Sequence, residues 1–211
     1  MSVVCFGDSL TWGFNPVDMS RYGHDVRWTR LLQKDLGSEF YVIEEGVNGR
    51  TTVFEDPVKG DKNGLEHLFT VRKTHMPIDI LIIMLGTNDL QERFAMNAET
   101  IAIAMGRLLY LATNPTEDVE GMAPKVLLMS PPPLADLTGT PFELQFSGRS
   151  REESTKLAEC YRRKAEEYGV AFFDTGSVIS SSPVDAIHFD AAPQVDLARA
   201  VASEVRKLAA S

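Results

Sequence analysis

The sequence predicts an α/β fold in which helices cover both faces of one parallel sheet. Five short apolar runs alternate with amphipathic helical patterns along the 211 residues. The runs lack polar alternation, which is typical of strands that are buried on both faces. Strand and helix in alternation favour a doubly wound, three-layer α/β/α sandwich. The length suits one domain, so we expect residues 1–211 to form a single unit.

The apolar runs predict five strands, at residues 3–6, 40–43, 78–85, 126–129 and 170–173. The helical patterns begin near Asp25, Asn97, Ser150 and Pro193. Gly37 is a typical stop signal for the first of these helices. Ser150 and Glu153 have the spacing of a capping box, which predicts one charged helix from there to about Tyr168.

Composition and charge argue against several classes of partner. The formal net charge is −9 and no Lys/Arg run offsets it, so we expect no nucleic-acid partner. The longest strongly apolar run, residues 78–85, is too short to span a bilayer, so we expect no membrane association. The apolar start before Asp8 is too short for a signal peptide. Cys5 and Cys160 form no CxxC pair, and buried thiols in a cytoplasmic protein are the expected state.

Three loops after predicted strands are longer or odder than a connection requires. They are residues 11–24, 46–64 and 131–147. In a parallel sheet, the loops that follow the carboxyl ends of the strands build the ligand site. Functional side chains are therefore expected in these loops and at the neighbouring strand ends.

A candidate nucleophile follows the first predicted strand in the sequence Gly7-Asp8-Ser9-Leu10. The glycine permits a tight turn at the strand end, and Ser9 then lies where the next helix begins. There its hydroxyl faces the cleft and its backbone N–H is available to an oxyanion. A serine at this place is also a common helix N-cap, so the segment alone leaves both interpretations open.

Two further strand ends carry candidate oxyanion donors. Gly49 lies in a loop whose glycines favour positive φ, where backbone N–H groups point at a ligand. Asn88 follows the third strand, and its side-chain amide is a suitable oxyanion donor. The alternatives are a plain turn around Gly49 and a capping role for Asn88 or Asp89.

A candidate base and its orienting acid lie near the end of the chain. Asp185 and His188 are three residues apart, a spacing that lets the carboxylate approach the imidazole within one turn and fix its tautomer. Among the four histidines, His188 is the one with an acid at such short spacing in a strand-to-helix loop. A histidine beside an aromatic residue such as Phe189 is more often structural, so this pair also needs support.

Taken together and in order, these segments resemble the four sequence blocks of the SGNH, or GDSL-motif, hydrolases. The resemblance spans nearly the whole chain, and it implies a flavodoxin-like five-stranded parallel sheet. It also implies that Ser9 attacks an ester carbonyl, that His188 takes its proton and that Asp185 orients His188. The implied oxyanion donors are the N–H groups of Ser9 and Gly49 and the amide of Asn88. No cofactor and no metal is implied.

Longer stretches are similar to the arylesterase/acyltransferase branch of that family, which includes perhydrolases and carbohydrate acetylesterases. They are residues 5–13, 25–29, 82–89 and 130–134. The similarity implies small acyl substrates and a homo-oligomer, typically an octamer. The choice between water, alcohol and peroxide as acyl acceptor stays open.

Two rival functions remain. A metallophosphoesterase needs several Asp, His or Asn ligands, for which Asp8, Asn88, Asp89 and His188 are the available set. A non-catalytic binding or assembly module of the same fold is the second rival, because fold alone does not imply function. Other enzyme classes lack their motifs, since the chain has no G-x-S-x-G, no Walker A and no G-x-G-x-x-G sequence.

The loop at residues 131–147 carries a prediction about assembly. Phe142, Leu144 and Phe146 alternate with Glu143 and Gln145, as in an extended segment with one buried face. Either the loop folds over its own subunit, or it packs on a neighbouring one and walls the partner's cleft. The resemblance to an octameric branch favours the neighbouring subunit.

Overall fold

A computed structural model describes residues 1–114 and 123–211. The strands in these ranges are β1 (Ser2–Gly7), β2 (Tyr41–Gly46), β3 (Ile80–Met84), β4 (Lys125–Ser130) and β5 (Ala171–Asp174). The helices are α1 (Ser9–Trp12), α2 (Trp28–Leu36), α3 (Gly64–His75), α4 (Ala98–Thr113), α5 (Gly148–Ser154), α6 (Leu157–Tyr168) and α7 (Ala191–Ala210). Within the described ranges, no helix is long and apolar enough to cross a membrane.

The five strands form one sheet in the order β2-β1-β3-β4-β5, and every neighbouring pair is parallel. The predicted fold class is therefore confirmed. Each apolar run overlaps one strand, although β2 begins one residue later than predicted and continues to Gly46. After β1 the chain forms the edge strand β2, and it then crosses back to form β3 on the opposite side of β1. The ends of β1 and β3 thus form the switch point at which doubly wound sheets bind ligands.

Alternate residues of each central strand face opposite layers of helices. In β1, Val4 and Phe6 pack in the core with α3, α4 and α6, whereas Val3 and Cys5 pack with α2 and α7. All four side chains are buried. Because both faces are covered, neither face selects polar residues, and this explains the continuous apolar runs.

The helix predicted from Ser150 to Tyr168 is two helices, and its capping box was misplaced. The cap of α5 is Ser147, whose hydroxyl accepts from the N–H of Ser150, while the Ser150 hydroxyl accepts from the Ser147 N–H. Glu153 caps another helix, since its carboxylate accepts from the N–H of Ala98 at 2.8 Å. The Ser150–Glu153 spacing matches the motif, but in the structure Ser150 is the third helical residue of a box that begins at Ser147.

The loop at residues 131–147 packs on the core of its own subunit. Residues 142–146 form a turn within it, so the prediction of an extended segment is wrong. The N–H groups of Gln145 and Phe146 both bond to the Phe142 carbonyl, which makes this segment a turn. Phe146 is buried and Phe142 packs against the core of α4 and α6, whereas Leu144 is 97% exposed. The apolar alternation therefore arises from a turn that points two rings inward and one leucine outward.

Candidate active site

Ser9 lies at the carboxyl end of β1, on the first turn of the short helix α1. The turn requires glycine at position 7, because a Cβ there would lie 2.8 Å from the Met84 carbonyl and closer still to Thr11. Asp8 is the helix cap, since its carboxylate accepts from the N–H of Leu10 at 2.9 Å. Ser9 is thus not the N-cap that the alternative interpretation required. Its hydroxyl is therefore free of a capping role.

Asp185 and His188 lie together in the segment between β5 and α7. The Asp185 carboxylate accepts from the backbone N–H groups of Ile187 and His188, both at 2.9 Å, and contacts His188 Nδ1 at 2.6 Å. Burial alone would raise the pKa of Asp185, but the hydrogen bonds and charge of His188 bring it below its ordinary value. The carboxylate therefore stays ionised, and Nδ1 is held as the donor.

The structure brings His188 to Ser9 across 179 positions of sequence. His188 Nε2 lies 2.8 Å from the Ser9 hydroxyl oxygen, within hydrogen-bond distance. Phe14 stacks on the imidazole with ring centroids 4.1 Å apart, and Phe142 contacts it edge-on at 5.9 Å. With Nδ1 donating to Asp185, Nε2 is the acceptor for the Ser9 proton.

The two other candidate oxyanion donors, Gly49 and Asn88, lie after the ends of β2 and β3. Gly49 has φ +81°, the left-handed conformation anticipated for this loop. Within the described ranges, the backbone N–H groups of Ser9 and Gly49 have no protein acceptor. Asn88 opens a 3₁₀ turn, and its amide nitrogen donates to Asp8 at 3.2 Å and to the Arg50 carbonyl at 3.1 Å.

These residues line one cavity of about 100 Å³. The residues at its wall are Ser9, Phe14, Asn48, Gly49, Lys59, Asn88, Gln91, Phe142, Gln145, Phe146, Ile187 and His188. Apolar side chains form much of the wall, and the polar groups converge near Ser9. The cavity combines a serine hydroxyl, a histidine beside it and backbone N–H groups without protein acceptors in the described ranges, which are the kinds of group that acyl transfer uses.

Several residues of the site were missed by the sequence analysis. Gln91 lies three positions after Asn88, and this spacing in a turn was a usable signal. Phe14 lies in a long loop, where nothing in its sequence context distinguishes it, and Phe142 was predicted as part of an interface segment and not as a wall of its own subunit's cavity. The buried Asp8 was considered only as a metal ligand, and its contact with Asn88 was not anticipated.

Two buried carboxylates lie beneath the cavity. Burial raises the pKa of Asp8 to about 7 and that of Asp89 to about 6. Asp89 accepts from both the N–H and the hydroxyl of Thr52. In the described parts of the chain, no group of three His, Cys, Asp or Glu side chains is placed to hold a metal ion.

Comparison with known families identifies the arrangement. Residues 5–195 match the GDSL-like lipase/acylhydrolase family. The chain belongs to this family. No relative was found among curated protein sequences.

Solved structures agree with the family match. The inhibitor-bound aryl esterase of M. smegmatis is 44% identical, with a TM-score of 0.93 over 98% of this chain and 99% of that one. A carbohydrate acetylesterase from Sinorhizobium meliloti is 39% identical, with the same TM-score and the same coverage. A lipase/acylhydrolase from Enterococcus faecalis, at 18% identity and TM-score 0.69 over 98% of this chain and 95% of that one, shares the fold. This GDSL-family protein is a carboxylic ester hydrolase.

Proposed function

We propose that this GDSL-family esterase hydrolyses short-chain acyl esters, especially acetyl esters, of aryl alcohols or sugars by way of an acyl-enzyme on Ser9. One observation carries the proposal: a continuous hydrogen-bonded line from Asp185 through His188 to Ser9, with contacts of 2.6 and 2.8 Å. A serine hydroxyl is a poor nucleophile unless a positioned base takes its proton, and this line supplies that base.

In the first half of the reaction, Ser9 Oγ bonds to the carbonyl carbon while His188 Nε2 takes the hydroxyl proton. Asp185 keeps its negative charge and stabilises the imidazolium. The tetrahedral intermediate then collapses, the bond to the alcohol breaks, and His188 returns its proton to the leaving oxygen. In the second half, water attacks the acyl-enzyme with the same base, and an alcohol or hydrogen peroxide acts in its place in acyl transfer or perhydrolysis.

The oxyanion forms where three donors converge, namely the N–H groups of Ser9 and Gly49 and the side-chain amide of Asn88. Both amide hydrogens of Asn88 already have acceptors at 3.1 and 3.2 Å, which are long hydrogen bonds. A developing oxyanion carries more charge than the Arg50 carbonyl and so competes well for one of these hydrogens.

The size of the cavity supports short acyl groups. A volume of about 100 Å³ is small beside the roughly 300–1,000 Å³ of pockets that hold drug-sized molecules. The rings of Phe14 and Phe142 line the cavity and contact His188, so they occupy space beside the reacting groups. The aryl and sugar alcohols enter the proposal from the two similar enzymes, which are an aryl esterase and a carbohydrate acetylesterase.

The central experiment combines kinetics with labelling of the serine. Ser9→Ala should abolish hydrolysis of p-nitrophenyl acetate with thermal unfolding unchanged, and a fluorophosphonate should add its mass to the Ser9 peptide of the wild type. Near-wild-type kcat in Ser9→Ala contradicts the assignment. Activity lost to EDTA and restored by zinc supports the metal-dependent alternative instead, and no activity or labelling in the wild type supports a binding module.

Assembly is a separate part of the proposal, because it rests on resemblance to an octameric branch. We expect a cytoplasmic homo-oligomer. Light scattering that gives a monomeric mass contradicts this part and leaves the chemistry of Ser9 untouched.

A further inference from the structure

The side-chain amide of Asn88 has a hydrogen-bond partner on its oxygen as well as on its nitrogen. The nitrogen donates to Asp8 and to the Arg50 carbonyl, and the oxygen accepts from Gln91 Nε2 at 2.9 Å. We propose that Gln91 is a positioning residue that holds the Asn88 amide with its nitrogen toward the oxyanion. The inference rests on the proposed function, in which Asn88 is an oxyanion donor.

The orientation of both amides follows from their partners. If the Asn88 amide were flipped, its oxygen would face the Arg50 carbonyl, which can only accept. If the Gln91 amide were flipped, its oxygen would face the oxygen of Asn88. Both alternatives place acceptor against acceptor, so the arrangement with Gln91 donating to Asn88 is the one that satisfies the chemistry.

Gln91 is well placed for this role because its own position is fixed. Its side chain and backbone are only 2% exposed, and its backbone N–H donates to the Asn88 carbonyl at 3.2 Å. Its carbonyl accepts from Phe94, and the next residue, Glu92, donates to the Gln145 carbonyl at 3.0 Å. Gln91 is thus joined to Asn88 through both backbone and side chain.

The side chain of Gln91 has no competing task among the contacts that the structure describes. Its Oε1 atom is buried without a protein partner, so the hydrogen bond to Asn88 is the one that orients the amide. An unpaired buried acceptor costs stability, on the order of 1–3 kcal/mol. A glutamine in this state contributes less to stability than a fully satisfied core residue, and this points to a role in the site.

The hydrogen bond has a chemical consequence for catalysis. A donor on the amide oxygen of Asn88 draws charge from the amide and makes its N–H a stronger donor, as in other hydrogen-bonded chains. It also keeps the nitrogen in place before the oxyanion forms, so little reorganisation is needed at the transition state. Gln91 acts through Asn88, and its loss should therefore lower kcat more than it changes KM.

Two substitutions at position 91 separate the hydrogen bond from the shape of the side chain. Gln91→Met keeps the length and removes the donor, and we expect kcat for p-nitrophenyl acetate to fall roughly tenfold, since small misplacement of a catalytic group is costly. Gln91→Lys restores a donor without an acceptor, and we expect it to recover most of kcat. Thermal unfolding of both variants reports whether the turn remains folded.

A double-mutant cycle with Asn88→Ala supplies the decisive readout. In the Asn88→Ala background, Gln91→Met should cause no further loss, because the amide that it positions is gone. Gln145→Met is the matched control: in the part of the chain that the structure describes, Gln145 lines the same cavity but has no hydrogen bond to Asn88, so any change it causes should be equal in both backgrounds.

The outcomes distinguish this inference from the function beneath it. If Asn88→Ala leaves kcat unchanged, Asn88 is not an oxyanion donor and that part of the proposed function fails. If Asn88→Ala lowers kcat but Gln91→Met has no effect or an additive one, the positioning role of Gln91 is wrong. A fall in kcat for both Met and Lys at position 91, with lowered thermal stability, assigns Gln91 a structural role and also overturns the inference.

Discussion

Two buried aspartates flank the Ser9 cavity, and their surroundings move their pKa values in opposite directions. On the His188 side, burial of Asp185 is outweighed by hydrogen bonds from the imidazole and from backbone N–H groups, so its pKa is lowered. On the Asn88 side, burial of Asp8 outweighs its hydrogen bonds, and its pKa is raised to about 7. The comparison shows that burial alone does not decide the charge of a carboxylate; the donors around it do.

The difference in pKa suits the role that the proposed mechanism gives to each side of the cavity. A carboxylate that stabilises an imidazolium must stay ionised through the reaction, and Asp185 has the partners for this. In the proposed mechanism, the Asn88 side supplies neutral donors to an oxyanion, and a permanent negative charge beside that oxyanion would oppose it. A carboxyl group that is easily protonated at this place opposes the oxyanion less than a permanently charged carboxylate would.

The largest effects are expected on the His188 side. His188→Ala should lower kcat by roughly 10⁴–10⁶, and Asp185→Ala by about 10⁴, because the members of a triad act as one unit. Initial rates with p-nitrophenyl acetate measure both. If Asp185→Ala costs less than Asn88→Ala, the ranking of the two sides is reversed.

The Asn88 side should give the next largest effect. Removal of one oxyanion donor by Asn88→Ala should lower kcat by roughly 10²–10³ with little change in KM. Steady-state kinetics with acetate esters separate the two parameters. A change confined to KM makes Asn88 a substrate-binding residue and removes the electrostatic contrast between the two sides.

A smaller effect is expected at Phe142, which belongs to the apolar wall of the cavity. Phe142→Ala should raise kcat/KM for butyrate relative to acetate by about tenfold, since one or two methylenes in a tight pocket are worth this much. A series of p-nitrophenyl esters from acetate to octanoate measures the ratio.

Leu144→Ala is the matched control for this wall. It removes an apolar side chain from the same turn, but one that is 97% exposed and does not line the cavity. Its acyl preference should equal that of the wild type. An altered preference in Leu144→Ala indicates that a neighbouring subunit borders the site.

The smallest effect concerns stability and tests the comparison directly. The pKa of Asp8 is raised from 3.8 to about 7 on folding, so the folded state holds the proton more tightly than the unfolded chain. This contribution to stability is fully present below pH 3.8 and is lost as the pH rises toward 7. Asp8→Asn does not titrate, so the Tm of the variant relative to wild type should be higher at pH 8 than at pH 4.5. An equal difference at both pH values contradicts the raised pKa.

Much of the fold was predictable because the burial of each strand is recorded in a short stretch of sequence. Strands covered on both faces leave uninterrupted apolar runs, so all five were located from the sequence. The grouping of Ser9, Gly49 and Asn88 around one cavity was predictable because parallel strands bring their carboxyl ends to one edge of the sheet.

Other features depend on contacts that no short pattern records. Glu153 fits a cap for its own helix but bonds to Ala98, which lies 55 positions away. The alternation at Phe142, Leu144 and Phe146 fits an extended segment, and only the turn bonds to the Phe142 carbonyl decide otherwise. The contact between Gln91 and Asn88 depends on side-chain orientation within a 3₁₀ turn.

The separation of 179 positions between Ser9 and His188 has a consequence for biosynthesis. In the proposed mechanism, the nucleophile therefore leaves the ribosome 179 residues before its base. Until His188 has been added and the chain has folded, Ser9 is an ordinary alcohol, which is a poor nucleophile toward esters. Activity therefore appears only after β5 and the segment behind it have docked, and each active molecule has completed its sheet.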